Sequence, residues 1–181
     1  MLASLVQGPL LRLLSVGLIV VALQRTLFAD LRPFDVVVQV VLALAAATGA
    51  GSGPQKGALA GFALGLMFDL GVGTPLGSSS ITMGLAGFVA GYVTSITIDP
   101  QWWLATLFTG LGAAVGEACV PVVRSFIGED TVLGARLFTI LPVVAGAAML
   151  LSPLFVPIGR WCMRVKRPEW KALAEPAEAS P

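Results

Sequence analysis

The sequence contains no histidine, a single tyrosine and only 12% charged residues, and these shortages exclude several classes of function. Histidine is the usual general base and the commonest metal ligand near neutral pH, so its absence counts against metal centres and base-assisted nucleophiles. The run Ser78–Ser80 therefore has no histidine to activate it anywhere in the chain. We expect a protein that is not an enzyme and that carries no cofactor.

Cysteine, phosphate-binding motifs and net charge are also scarce. The chain has two cysteines, Cys119 and Cys162, which are too few for a disulfide framework or a zinc site and are expected to be small buried hydrophobes. The run "GTPLGSS" is rich in glycine but lacks the lysine of a phosphate-binding loop. A net charge of +1 gives no strong field to attract nucleic acid, so no nucleic-acid partner is expected.

Apolar residues, in contrast, are abundant. They make up 56% of the 181 residues, and the mean hydropathy is +0.90. Soluble domains carry about 25% charged residues, and a small soluble chain cannot bury this much apolar surface. We therefore predict an all-α fold, an integral membrane bundle of transmembrane helices joined by short loops.

Six apolar segments are predicted to cross the membrane, since a span needs about 20 apolar residues. They cover about 10–28, 34–50, 57–70, 79–98, 102–127 and 137–161. Residues 1–161 thus form one transmembrane domain, and 162–181 form a cytoplasmic tail that is first basic and then disordered. The third span would be only about 21 Å long, so we expect it to be shielded from lipid in the centre of the bundle.

Basic residues indicate the orientation. Arg160, Arg164 and three further cations between 166 and 171 follow the last span. Lys and Arg are enriched in cytoplasmic loops, so this cluster places the C-terminus in the cytoplasm. With six spans, the N-terminus lies on the same side, and the loop after Asp69 lies on the outer side.

Small residues recur at intervals of four in the third span. Gly57, Gly61 and Gly65 are followed at the same interval by Asp69, so all four share one helix face. Such a stripe lets another helix approach closely. We expect Asp69 to face protein, because a carboxylate costs roughly 2.5–3.5 kcal/mol at the centre of a membrane.

Glycine is also frequent in the next two spans. The fourth span contains Gly84, Gly87 and Gly91, and the fifth contains Gly112 and Gly116. These residues indicate tight helix packing. The pattern alone leaves open whether the packing is internal or with a partner helix.

The loop after Asp69 suggests a role for that carboxylate. Asp69 falls in the last turn of its helix, where the helix dipole disfavours an anion, so another interaction must compensate. Loop N–H groups, Thr74 and the following serines could donate hydrogen bonds to it. Pro75 is expected to fix a turn and Gly77 to allow another, with Ser78 or Ser79 capping the fourth helix.

Glu117 is the second acidic residue within a predicted span. Arg124 lies seven residues further on the same face, about 10 Å along the helix, and could reach back toward it. A membrane acid is a functional-site hypothesis by default. A proton or ion relay, substrate binding and a buried structural contact all remain open for Glu117.

The segment 57–93, "GALAGFALGLMFDLGVGTPLGSSSITMGLAGFVAGYV", resembles the central segment of the rod shape-determining MreD family. In that family a glycine-spaced helix ends in Asp-Leu, and a short loop precedes Leu-Gly and another glycine-containing helix. The matching residues are Gly61, Gly65, Asp69, Leu70, Leu76 and Gly77. The length, the six spans and the basic tail also fit, but they are unspecific.

This resemblance implies a non-enzymatic membrane scaffold of the cell-elongation complex, which controls cell shape and side-wall peptidoglycan synthesis. It implies docking of a bitopic MreC-like membrane protein, with MreB, RodA and a class B penicillin-binding protein as further partners and membrane lipid around the bundle. The glycine faces, Asp69, Leu70, Pro75, Leu76 and Glu117 are the structural or docking candidates.

Two other functions remain open. The substrate-binding S components of energy-coupling-factor vitamin transporters have a similar fold and a similar Gly…Asp stretch, although the first span here lacks their small-residue docking motif. A small ion or proton transporter could use Asp69 and Glu117.

Overall fold

The computed structural model describes residues 8–26, 36, 39–97, 102–126, 128 and 137–164, and all regular structure in these ranges is helical. Six helices follow one another along the chain: α1 (Pro9–Thr26), α2 (Val40–Ser52), α3 (Pro54–Val72), α4 (Ser78–Ser95), α5 (Trp102–Phe126) and α6 (Leu137–Cys162). The prediction of an all-α fold is confirmed for this part of the chain. The tail from 165 onward and the predicted span ends at 27–28, 34–35 and 98 lie outside it.

Three of these helices, α1, α5 and α6, are long and apolar enough to cross a membrane. The helix α2 is apolar but has only 13 residues, and α3 and α4 have 19 and 18. At 1.5 Å per residue, α3 and α4 are each about 27–28 Å long, close to the thickness of the hydrocarbon layer. These helices support an integral membrane protein.

The helix that contains the predicted third span, 57–70, is longer than that span. Helix α3 begins at Pro54, whose missing N–H costs nothing in a first helical turn, and it continues through Gly71 to Val72. It ends where Gly73 adopts a left-handed conformation with φ +79° and donates its N–H to the carbonyl oxygen of Asp69. The predicted span was bounded by apolar residues alone, so it left out the polar first turn of α3.

The central helix of the bundle is α2, not the third helix as the sequence predicted. Every residue from Val40 to Ala50 is buried, whereas α3 exposes Leu59, Phe62 and Leu66 along one side. The residues of α2 are mostly small on all sides, so neighbouring helices can surround it. In α3 the small residues lie on one face and the large apolar residues on the other.

Contacts between helix ends show that the helices alternate in direction. At one end, the Nε of Arg160 in α6 donates to the carbonyl oxygen of Gly51 in α2 at 3.2 Å. At the same end, the Arg12 guanidinium of α1 lies 5.4 Å from the Trp161 ring centroid. We call this the basic end of the bundle and the opposite end, which contains residues 73–77, the loop end.

Positive charge is unequal between the two ends. Among the described residues the basic end carries Arg12, Lys56, Arg160 and Arg164, whereas the loop end carries Arg25 and Arg124. This asymmetry has the sign that the predicted orientation requires, with the basic end in the cytoplasm. The orientation itself stays a prediction.

Candidate functional site

The Asp69 carboxylate holds the loop end of α3 and the start of α4 together. Its Oδ1 accepts a hydrogen bond from the Thr74 hydroxyl at 2.7 Å, and its Oδ2 accepts one from the Gly77 N–H at 2.8 Å. The Ser79 N–H lies 3.3 Å from both oxygens. Only 1% of Asp69 is exposed. The hydrogen bonds expected from the loop are therefore present, and we call these four residues the Asp69 clasp.

The clasp also explains how a carboxylate is tolerated in the last turn of a helix. Helix α4 begins at Ser78, its N-cap is Gly77, and neither serine provides the side-chain cap that the sequence predicted. Asp69 instead accepts from the unpaired N–H groups at the start of α4, where the helix dipole favours an anion. The unfavourable dipole of α3 is offset by the favourable dipole of α4.

Glycine positions in the loop match the turns that the chain makes. Gly77 has φ +97°, a left-handed conformation that favours glycine, while Gly71 remains helical. The carbonyl oxygen of Pro75 accepts a hydrogen bond from the Ser78 N–H at 3.2 Å, which closes the turn before α4. These turns bring Thr74 and Gly77 within reach of Asp69.

The glycine stripe of α3 packs directly against the backbone of α4. A Cβ atom added to Gly65 would lie 2.5 Å from the carbonyl oxygen of Ser79, and one on Gly57 or Gly61 would overlap a carbonyl of α4. On the facing helix, a Cβ on Gly87 would overlap the carbonyl oxygen of Gly57. Real Cβ atoms do not approach backbone this closely, so the helices meet here only because both carry glycine.

The remaining two glycines of α4 differ from each other. A Cβ on Gly91 would lie 2.5 Å from the carbonyl carbon of Gly53, so this position is also closed. A Cβ on Gly84 would be 3.4 Å from the nearest atom, the carbonyl oxygen of Ala58, which is ordinary contact. We use the name α3–α4 seam for the closed glycines of this interface: Gly57, Gly61, Gly65, Gly87 and Gly91.

Sequence reasoning missed Gly49, which brings α2 into the same junction. A Cβ on Gly49 would overlap the carbonyl oxygen of Gly87, and one on Gly57 would lie 2.5 Å from the Cα of Gly49. The signal was available, because Ala45, Gly49 and Gly53 repeat the interval of four in the sequence. Three helices, α2, α3 and α4, therefore meet at this junction, whereas the sequence pattern suggested only a contact between two.

Leu70 and Leu76, the two apolar residues of the family-like motif, point away from the packed interior. They are 69% and 68% exposed, and Pro75 between them is exposed as well. An exposed leucine at the loop end contributes nothing to the internal packing described above. These residues are available to lipid or to another protein.

Glu117 is bound to a residue that the sequence did not single out. The Nε2 of Gln39 donates a hydrogen bond to its Oε2 at 2.6 Å. Gln39 is the N-cap residue of α2, so this bond ties the start of the central helix to α5. It is a part-buried contact between two helices, and of the three roles that the sequence left open it supports the structural one.

A second glutamine caps the central helix. The Oε1 of Gln24, in the last turns of α1, accepts a hydrogen bond from the Val41 N–H at 3.0 Å. Only 8% of Gln24 is exposed. Its amide thus satisfies one of the N–H groups that the first turn of α2 leaves unpaired. A buried glutamine in an apolar run was the signal for this contact.

The hydrogen-bond partners of both acids reach one cavity at the loop end. This cavity has a volume of about 280 Å³, and its polar lining includes Gln39, the partner of Glu117, and Thr74 and Ser79, the partners of Asp69. Gln24 and Arg124 also line it. Asp69 and Glu117 do not line the cavity themselves, so only their partners face this space.

Comparison of the chain with family models, with curated proteins and with solved structures finds no match. The resemblance to the MreD family therefore rests on the motif between residues 57 and 93.

Proposed function

We propose that this protein is a non-enzymatic membrane scaffold of the MreD type, in a bacterial inner membrane, that docks a bitopic MreC-like partner and supports side-wall peptidoglycan synthesis. The proposal rests on the motif at 57–93 and on a bundle in which Asp69 and the glycines have packing roles. MreB, RodA and a class B penicillin-binding protein are further partners that the resemblance implies.

The observation that carries the docking role is an open apolar groove between α1 and α3. The groove has a volume of about 510 Å³, and its walls are formed by Leu14 and Leu18 of α1 and by Ala63, Leu66 and Leu70 of α3. Most of its lining is large and apolar, and the small side chains of Ser15 and Ala63 leave room between them where a partner helix could pack. Leu70, one of the motif residues, closes its loop end.

Site-specific photo-crosslinking tests this docking. A photoreactive residue at Leu66 should crosslink to the transmembrane segment of a co-expressed MreC-like protein. The matched control is the same residue at Leu150, which is 82% exposed on α6 and lies outside the groove. Equal crosslinking at the two positions, or none at Leu66 when the proteins co-purify, would place the partner elsewhere.

Depletion in the native cell tests the wider role. A rod-shaped host that loses this protein should become wider and rounder, and expression of the intact chain should restore its width. An unchanged width after complete depletion would contradict a scaffold of the cell-elongation complex.

The cavity at the loop end favours a second candidate, the S component of a vitamin transporter. Its 280 Å³ and its mixture of apolar and polar walls are of the kind that small ligands use. A vitamin that raises the melting temperature of the purified protein would support this candidate. The effect should then be lost in Gln39→Leu and kept in Lys56→Gln, since Lys56 lies at the opposite end.

A further inference from the structure

A second open groove lies at the basic end, between α5 and α6. It has a volume of about 390 Å³, and its walls include Trp102 and Thr106 of α5, Pro157 and Arg160 of α6, and Arg164 just after α6. We propose that this α5–α6 groove binds the headgroup of an anionic phospholipid. The inference uses the membrane placement of the proposed function but does not depend on its protein partner.

Two arginines near the end of α6 provide the charge. Arg160 lies in the last turn of α6 and Arg164 follows two residues after its end, and both side chains line the groove. The Nε of Arg160 is held by the carbonyl oxygen of Gly51 at 3.2 Å, which positions the side chain and leaves its two Nη groups as donors. A guanidinium fork matches the geometry of a phosphodiester, because it can donate to two oxygens at once.

The remaining walls match the apolar part of a lipid. Val156 and the rings of Pro153 and Pro157 line the groove on the α6 side. Ser152 also lines this side, and its hydroxyl donates toward the Thr106 hydroxyl of α5 at 3.4 Å. Trp102, which is 80% exposed, stands at the rim, and tryptophan is enriched at the membrane interface. The groove therefore joins a cationic mouth to an apolar wall.

A phospholipid fits this arrangement better than a soluble anion. The groove is open at its side, so an acyl chain could leave it toward the hydrocarbon layer. Basic pockets between transmembrane helices on the cytoplasmic side are known to hold anionic headgroups.

Native mass spectrometry of the full chain, freed of co-purified lipid, tests this site. Dioleoyl phosphatidylglycerol should be retained more strongly than dioleoyl phosphatidylcholine. Arg164→Gln leaves the Arg160–Gly51 hydrogen bond intact and should weaken phosphatidylglycerol binding about fivefold, with a larger loss for the double variant Arg160→Gln/Arg164→Gln. Lys56→Gln, at the same end but outside the groove, is the matched control and should bind as the original protein does.

Three results would overturn the proposal. Equal retention of the two lipids would show that charge is not recognised. An equal loss in Lys56→Gln and Arg164→Gln would indicate a diffuse basic surface. Displacement of the lipid by inorganic phosphate at the same concentration would indicate a soluble-anion site. Because no partner protein is present, none of these outcomes depends on whether the MreC-like partner docks, and failure of the crosslinking experiment would leave this one unchanged.

Discussion

A Cβ atom on Gly65 would lie 2.5 Å from the carbonyl oxygen of Ser79, on the helix packed beside it. Ser79 also donates its N–H to Asp69, so one of the close approaches of α3 and α4 lies beside the clasp that joins them. The position of the clasp and the tightness of the seam are therefore coupled. Separating the helices at Gly65 would also move the donors of Asp69.

Gly65→Ala should destabilise the bundle by about 1–3 kcal/mol, the usual cost of overpacking, because the neighbouring atoms belong to backbone and cannot rotate away. The melting temperature of the purified protein in detergent measures this loss of stability. Gly84→Ala is the matched control, since its Cβ would meet only an ordinary contact at 3.4 Å, and it should change stability little. Equal losses of stability in the two variants would mean that the close backbone contact at Gly65 does not restrict how α3 and α4 pack.

Asp69→Ala should cost about 3 kcal/mol and Asp69→Asn about 1 kcal/mol, because hydrogen bonds to a charged acceptor are stronger than neutral ones. Asparagine can keep its oxygen toward the Gly77 N–H and turn its amide toward Thr74, whose hydroxyl can accept as well as donate. Alanine leaves the N–H groups of Gly77 and Ser79 without this acceptor. The same melting experiment measures both variants.

Thr74→Val provides the control for the clasp. It removes one neutral donor and keeps the size of the side chain, so it should cost about 1 kcal/mol or less. If Asp69→Ala and Thr74→Val were equally stable, the backbone hydrogen bonds of the clasp would contribute nothing to stability.

If Asp69→Asn abolished ion flux with no change in stability or cell shape, the transporter hypothesis would be favoured over a scaffold.

The Gln39–Glu117 bond predicts a measurable coupling between α2 and α5. Gln39→Leu and Glu117→Gln should each lower the melting temperature. Together they should cost less than the sum of the single effects, because both remove the same interaction. A double-mutant cycle on the purified protein measures this difference, which we expect to be about 1–2 kcal/mol. Strict additivity would show that the 2.6 Å contact has no energetic role.

The sequence predicted the helical class and the donors of Asp69, because both depend on local features. Apolar composition predicts helices in a membrane protein. A carboxylate next to a loop that carries free N–H and hydroxyl groups is expected to accept hydrogen bonds from that loop. It did not predict that α2 is central. Hydropathy reports only that a side chain is apolar, and lipid and protein neighbours satisfy an apolar side chain equally well.

Contacts between distant helices were also beyond the reach of local patterns. The sequence pointed from Glu117 to Arg124 on the same helix, but it gave no sign of the hydrogen bond from Gln39, which is 78 residues away in the chain. The cap of α4 was sought in its own serines, while Asp69 of α3 provides it. In both cases the acidic acceptor could be picked out in the sequence, but only the fold shows which groups donate to it.

Gln24→Leu should destabilise the start of the central helix by about 1–3 kcal/mol, because the buried Val41 N–H would lose its acceptor. Gln24→Glu keeps an oxygen in the same place and adds a negative charge near the N-terminus of α2, where the dipole favours it, so it should be milder. Melting temperature gives the order of stability, and hydrogen exchange at the Val41 amide reports the contact itself. Protection of that amide should fall in the leucine variant and persist in the glutamate variant. Unchanged protection in both would show that the Val41 N–H is satisfied without Gln24.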